Sequence, residues 1–216
     1  YKLVLLLAII CYVSCEADTP VWHDKFMQKF TENFTYPVLG TSTTNGTLYY
    51  DFPNKKYAVE RAEGSRDRYC GLNGLYFFKT RECTHFVEDG HRYLYYPEDD
   101  YCCDCCSSEH GCDVLKPEWM SGAEFIGEET FEGNTAYKWN KGGLQNNFYW
   151  ETVAENPLDR TMLGIDQQPN DFQIYDKESH STQFDETHLV KPGKCVPNAT
   201  CNFFSICTLV RWGAAG

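Results

Sequence analysis

The segment 102–112 constrains the fold of this chain more than any other, because its eleven residues, CCDCCSSEHGC, include five cysteines and a histidine. A stretch of this density either binds a metal ion or is cross-linked by disulfides. Cys102 and Cys105, like Cys103 and Cys106, have the two-residue spacing of a zinc knuckle, and the histidine adds a nitrogen ligand. The choice between the two depends on the redox state of the compartment.

The N-terminal residues 1–17 have the layout of a secretory signal peptide. Lys2 precedes an apolar run over Leu3–Val13, and small residues follow it. The run is too short to span a bilayer, which needs about 20 apolar residues. We therefore predict a secreted, extracellular protein that is processed near Cys15–Ala17 and has no stable membrane span. A retained anchor or a buried strand are the alternatives for this segment.

Three N-glycosylation sequons support secretion, and none has proline in its middle position. They begin at Asn33, Asn45 and Asn198. We predict a glycoprotein in which these three asparagines lie in exposed loops.

An oxidising compartment favours disulfides over zinc, because zinc would need reduced thiols. Cys11 and Cys15 belong to the leader, so ten of the 12 cysteines remain. An even set predicts up to five bridges, whose connectivity the sequence leaves open. Adjacent cysteines rarely bond to each other, so the cluster is expected to bond outward, to the cysteines before it and in the tail. The ten are Cys70, Cys83, Cys102, Cys103, Cys105, Cys106, Cys112, Cys195, Cys201 and Cys207.

The charge of the chain argues against a nucleic-acid partner. The formal net charge is −12, and no basic patch is visible in the sequence. Acidic clusters such as 98–100 and 128–129 lack the ligand spacing of an EF-hand loop and are typical of a solvated face. We predict no metal site and no cofactor, apart from weak calcium binding.

Two-residue alternation predicts strands along most of the chain. Residues 47–52 place Leu48, Tyr50 and Phe52 on one face, and the Asn45-Gly46 pair before them favours a hairpin turn. The second half of the segment 21–36 is predicted to pair with this strand. Strands are also expected in 74–79 and on either side of Asp89-Gly90, followed by the cysteine cluster as a loop and by a helix that starts at Pro117.

From residue 123 the pattern becomes a regular meander of strands separated by short turns, down to the segment DFQIYD. Strands that follow one another without long helices form an antiparallel sheet. We interpret residues 18–195 as a single β domain with a cysteine-rich insert at 102–112, and residues 196–216 as an apolar tail that contains two cysteines.

The order of the motifs GTLYYDF, GAEFIGEETFEG, YKW, FYWE, PLDR and FDETHLVKPGKC resembles that of ependymin-related secreted proteins. It also resembles the wider group built on the fold of the lipoprotein carriers LolA and LolB. The resemblance covers about residues 26 to 195. It implies a mainly β fold, a strongly curved antiparallel sheet or incomplete barrel, with one or two short helices and, in this chain, disulfide staples. It also implies a concave side that holds a lipid or another apolar ligand.

Three functions follow from these patterns. The first is a carrier whose concave sheet binds a lipid or other apolar small molecule through Tyr50, Phe52, Tyr137, Trp139, Phe148 and Trp150. Aromatic residues at strand spacing also suit an ordinary core. The second is an extracellular structural subunit of a coat, matrix or filament, which self-associates through the apolar C-terminal tail as an added strand. An enzyme is the least favoured, because no nucleophile has a base and no phosphate-binding or metalloprotease motif is present.

Overall fold

The described residues form one open antiparallel sheet of eleven strands, as the sequence predicted. The computed structural model describes residues 17–36, 40–64, 67–73, 80–142 and 146–213. The strands are β1 (Lys25–Tyr36), β2 (Gly40–Asp51), β3 (Lys56–Arg61), β4 (Cys83–Glu88), β5 (His91–Tyr96), β6 (Tyr101–Ser107), β7 (Glu124–Phe131), β8 (Asn134–Lys141), β9 (Asn147–Thr152), β10 (Met162–Gln167) and β11 (Asp171–Tyr175). Two short helices, α1 (Arg68–Gly71) and α2 (Ile206–Arg211), complete the fold.

The strand order is β6-β5-β4-β3-β2-β1-β11-β10-β9-β8-β7, so two meanders meet where β1 pairs with β11.

The predicted hairpin at Asp89-Gly90 is confirmed, and both residues have positive φ, which suits the tight turn between β4 and β5. The predicted turn at Asn45-Gly46 is wrong. Both residues lie inside β2, where Gly46 faces Phe30 of β1. A Cβ atom at Gly46 would collide with the Phe30 ring and lie 2.5 Å from the Glu60 carbonyl oxygen. A glycine is therefore needed here to leave space for the Phe30 ring.

The sheet is curved, because strands far apart in its order contribute to one core on its inner face. Val87 of β4, Phe26 of β1 and Trp139 of β8 belong to the same buried cluster. The segment 113–123 fills the curve through Met120, which is fully buried, and Val114. The prediction of a helix that starts at Pro117 is wrong, because residues 117–122 form turns instead.

The outer face is covered by a strap, residues 177–195, that crosses the strands β1 to β4. Its Leu189 is buried with Tyr49 and Phe86, and its His188 stacks on Tyr49 with 4.3 Å between ring centroids. Strands whose outer residues are covered in this way are buried on both faces, which explains the loss of simple alternation in β2 to β5.

The cysteine-rich segment is an edge strand and not the loop that the sequence suggested. Cys102, Cys103, Cys105 and Cys106 all lie in β6, which pairs with β5. All ten cysteines in the described residues are oxidised, and the cluster bonds to the three tail cysteines as expected. The expected bonds from the cluster to Cys70 and Cys83 are wrong, because these two cysteines bond to each other. The bridges are Cys70–Cys83, Cys102–Cys195, Cys103–Cys201, Cys105–Cys207 and Cys106–Cys112.

The C-terminal tail lies against β6 of its own sheet, and its predicted role as an added strand for a neighbouring copy stays a prediction. Asp104 donates its backbone N–H to Ala199 and accepts from Cys201, so the tail covers part of this sheet edge. The tail then forms α2, which Cys207 ties to the sheet. No helix among the described residues is long and apolar enough to cross a membrane. The strand predicted at 74–79 lies outside the described residues.

Candidate functional site

A cavity of about 160 Å³ lies on the inner face of the sheet and is partly open to solvent. Its lining is mixed. The apolar part consists mainly of Trp22, Leu48, Tyr50, Val59, Leu115 and Ile165. The polar part consists mainly of Arg61, Asp67, His85, Arg92, Asp171 and Gln173. A small hollow with an apolar body and a few convergent polar groups is the usual form of a small-molecule site.

The apolar part is held in place by the N-terminal segment and the segment 113–123. Trp22 donates its backbone N–H to Pro117 and its indole N–H to the Tyr149 hydroxyl, at 3.0 and 3.1 Å. The Tyr50 hydroxyl donates to the Leu115 carbonyl at 2.6 Å. These bonds fix both segments against the strands, so this wall of the cavity is built before any ligand arrives.

The polar part is organised around a buried ion pair that sequence reasoning missed. Arg61 of β3 forms a bidentate pair with Glu32 of β1, at 2.5 and 2.9 Å, and lies 3.4 Å from a carboxylate oxygen of Asp67. Gln173 of β11 donates to the same Glu32 carboxylate at 2.7 Å. The alternation of β1 could have predicted the buried charge. Gln28 and Glu32 occupy inward positions of this strand, between Phe26, Phe30 and Phe34.

His85 is a neutral histidine inside this network. Its Nε2 atom lies 3.0 Å from Asp67 Oδ1 and 3.2 Å from the bridged Cys70 sulfur. Burial lowers the pKa of His85 to about 4, against the opposing effect of Asp67. Burial alone would raise the pKa of Asp67, but Arg61 and His85 hold it well below its usual value. Cys70, Cys83 and His85 are close enough to share a metal ion, but both sulfurs are in a disulfide.

Arg92 of β5 differs from Arg61 in its partners. One of its terminal nitrogens donates to the Tyr57 hydroxyl at 2.8 Å, and the guanidinium lies 4.9 Å from the centroid of the Tyr69 ring. Its Nε atom is buried and has no hydrogen-bond partner in the part of the chain that the structure describes. Among the described residues, Arg92 forms no ion pair.

The six residues predicted to line a ligand hollow are divided between the two faces. Tyr50 and Trp139 are fully buried in the inner core, and Phe52 and Tyr137 pack against it. Of these four, Tyr50 lines the cavity. Phe148 and Trp150 lie on the outer face, where they pack with Phe131, Phe172 and Leu163. Their prediction as part of the same hollow is wrong, because β9 pairs with β8 in a register that turns Tyr149 and Glu151 inward.

A second buried ion pair, Glu151 with Arg160, stabilises the other half of the inner face. The two side chains are almost fully buried and lie 2.9 Å apart, and Glu151 also accepts from the Trp139 indole at 3.0 Å. Burial raises the pKa of Glu151 to about 7, although Arg160 and Trp139 oppose this shift. Arg160 donates further to the carbonyl of Asp18, at 2.6 Å, so the pair also holds the N-terminal segment.

The outer face carries a larger groove of about 780 Å³ between the strap and the strands β1 to β4. Its lining includes Asn45, Thr47 and Glu60. Asn33 and Asn45, predicted to be glycosylated in loops, lie instead on β1 and β2, and Asn198 lies in a turn. Glycosylation itself stays a prediction.

The acidic clusters noted in the sequence are engaged in surface contacts. Glu98 and Asp99 pair with Arg81, and Asp100 pairs with Lys194. Glu129 accepts from the Trp150 indole at 2.7 Å and lies 3.3 Å from Lys138. Such exposed pairs contribute little to stability.

Comparisons with known proteins give structural matches only. No family model matches the sequence, and no curated protein does. Among solved structures, an uncharacterized conserved protein from Thermus thermophilus has a TM-score of 0.47 at 7% identity, over 82% of this chain and 89% of that one. A LolA superfamily protein from Nitrosomonas europaea has a TM-score of 0.36 at 8% identity, over 78% and 90%. A DUF1329 family protein from Desulfovibrio piger has a TM-score of 0.33 at 10% identity, over 77% and 90%.

These matches include one protein of the wider group named in the resemblance, but their TM-scores are too low to carry an argument about the site. The ependymin part of the resemblance stays a prediction. The chemistry of a ligand therefore has to be derived from the residues of this chain.

Proposed function

We propose that this chain is a secreted binding protein that takes a small molecule with an apolar body into the inner-face cavity. The observation that carries the proposal is the cavity itself, which pairs a wall of Trp22, Tyr50, Leu115 and Ile165 with a fixed set of polar groups. Transfer of apolar surface from water into such a wall contributes about 25 cal/mol per Å². The five disulfides support secretion, because such bridges persist in oxidising compartments.

The size of the cavity narrows the ligand class. An engineered apolar cavity of about 150 Å³ in another protein holds a benzene ring. The inner cavity, at about 160 Å³, thus fits a single ring or a short chain, while most of the inner face is filled by Met120, Trp139 and their neighbours. The sequence suggested a lipid or another apolar ligand, and a lipid with a long chain would require the segment 113–123 to move away. We therefore favour a compact ligand.

Filling the cavity with a larger side chain is expected to abolish binding. Benzamide, a neutral single-ring probe, should bind the unaltered protein and bind Ile165→Phe at least about tenfold more weakly, because the added ring takes the space of the ligand. Isothermal titration calorimetry measures both affinities. Leu115→Phe, at a more exposed wall position, serves as a second variant with less risk to folding.

The matched control is Ile174→Phe, the same replacement on the outer face of β11, where Ile174 lines the outer groove. This variant should bind benzamide as the unaltered protein does. Weaker binding by Ile174→Phe together with unchanged binding by Ile165→Phe would place the site in the outer groove and overturn the proposal.

A second candidate function, a self-assembling extracellular subunit, is supported by one surface feature. Phe203, Phe204 and Trp212 at the C-terminus are 62%, 78% and 65% exposed, and Phe203 packs on both of the others. Leu209 is 42% exposed beside them on α2. We call these four residues the C-terminal patch. Exposed apolar clusters of this kind often mark contacts with other molecules. Filaments in electron micrographs of the purified protein would favour this candidate.

A further inference from the structure

Among the described residues, Arg92 is the charged group of the cavity that forms no ion pair, although the more distant charge of Asp67 acts on it. Arg61 has two carboxylates, from Glu32 and Asp67, and Arg160 has Glu151. Within the described ranges, Arg92 has the Tyr57 hydroxyl, which accepts one hydrogen bond from it, and the face of the Tyr69 ring. Its Nε–H is enclosed and makes no hydrogen bond with these residues, so the guanidinium is left with its terminal N–H groups to donate to a ligand in the cavity.

A cation in this position is costly without an anion. Removing a guanidinium from water is unfavourable unless hydrogen bonds and opposite charge replace the lost hydration. The face of an aromatic ring compensates only in part for the hydration that the guanidinium loses. A carboxylate offers the best replacement, because the planar guanidinium donates two parallel hydrogen bonds to it.

The acidic residues of the cavity do not supply that carboxylate. Asp67 accepts from His85 and from the backbone N–H groups of Tyr69 and Cys70 and lies beside Arg61. Glu32 is shared between Arg61 and Gln173. Asp171 also lines the cavity, and its charge acts on Arg61 and Tyr175.

We propose that the ligand is a small organic acid, and that Arg92 binds its carboxylate while the ring or short chain lies against Trp22, Leu115 and Ile165. This inference rests on the proposed function and deepens it, because it names the chemical class of the ligand and the residue that selects it. The same residue would make neutral molecules of equal size bind more weakly than acids, since they would leave the guanidinium without an opposite charge.

The test compares two probes of nearly equal shape, benzoate and benzamide, at neutral pH, with the disulfide-bonded protein in a calorimeter. Benzoate carries the negative charge and benzamide does not. We expect benzoate to bind about tenfold or more tightly than benzamide, the range of a charge-assisted hydrogen bond. In Arg92→Gln this preference should disappear while benzamide still binds, and in Arg92→Lys part of it should remain.

The control is Arg81→Gln, which removes an arginine that pairs with Glu98 outside the cavity, and which should leave the preference unchanged. Circular dichroism checks that each variant is folded. Equal binding of the two probes by the unaltered protein, or a preference for benzoate that survives in Arg92→Gln, overturns this inference while the proposed function stands. Failure of both probes to bind overturns the proposed function and this inference together.

Discussion

Replacing Arg61 with methionine is expected to destabilise the protein by about 3–5 kcal/mol, the cost of leaving buried carboxylates without their cation. Arg61 is 6% exposed, and its partners Glu32 and Asp67 are 0% and 2% exposed. Methionine fills much of the same space, so the loss comes from charge and hydrogen bonds more than from packing. Urea denaturation followed by intrinsic tryptophan fluorescence measures the change in the free energy of unfolding.

The control for this experiment is Arg81→Met, which removes an exposed arginine from its contacts with Glu98 and Asp99. Exposed pairs contribute about 0–1 kcal/mol, so this variant should unfold close to the unaltered protein. An equally small effect in Arg61→Met would show that Glu32 and Asp67 are hydrated or protonated, contrary to the buried network described.

Removing the three bridges between β6 and the tail is expected to have the largest effect on stability. The bridges join Cys102–Cys195, Cys103–Cys201 and Cys105–Cys207, across 93, 98 and 102 residues. A single loop of about 100 residues is worth about 4.7 kcal/mol in chain entropy, and each further bridge closes a smaller loop worth about 2–3 kcal/mol. Replacing all six cysteines with alanine should cost about 9–11 kcal/mol, comparable to the whole stability of many domains. Thermal unfolding monitored by near-ultraviolet circular dichroism measures the loss.

The three bridges should also be redundant. Replacing only Cys103 and Cys201 is expected to cost about 2–3 kcal/mol, because the neighbouring bridges keep the long loop closed. Cys106→Ala with Cys112→Ala, which opens a bridge with a separation of 6, should cost about the same and serves as the control. A full cost of about 4.7 kcal/mol for the middle bridge alone would contradict a shared closure of the loop.

The strands that the sequence predicted well are those separated by recognisable turns. In the meander from β7 to β11 the strands follow one another through short connections, and Glu132-Gly133, where both residues have positive φ, marks the turn between β7 and β8. The prediction of a loop at the cysteine-rich strand β6 was wrong because its cysteines are bonded on both faces of the strand, which removes the alternation of buried and polar residues. The prediction of a turn at Asn45-Gly46 was wrong because the glycine at position 46 leaves space for the Phe30 ring and does not form a turn.

The candidate site was less predictable than the fold. The sequence shows that Phe148 and Trp150 share a face of β9, but only the pairing of Trp139 with Tyr149 decides which face that is. The residues of the buried ion pair lie on strands that are separate in sequence. The pairing of Arg61 with Glu32 could therefore be recognised only when the structure showed β1, β2 and β3 to be neighbours in the sheet. The inward position of Glu32 was visible as a charge among buried aromatics, and it is the signal that sequence reasoning could have used.

The most direct test of the account is to locate a bound probe. Methyl resonances of isoleucine and leucine in the disulfide-bonded protein can be followed by NMR as benzamide is added. We expect the largest shifts at Ile165, Leu48 and Leu115, whose side chains line the inner cavity. Shifts confined to Ile174 in the outer groove, or to Leu209 in the C-terminal patch, would contradict the claim that the inner face of the sheet is the binding site.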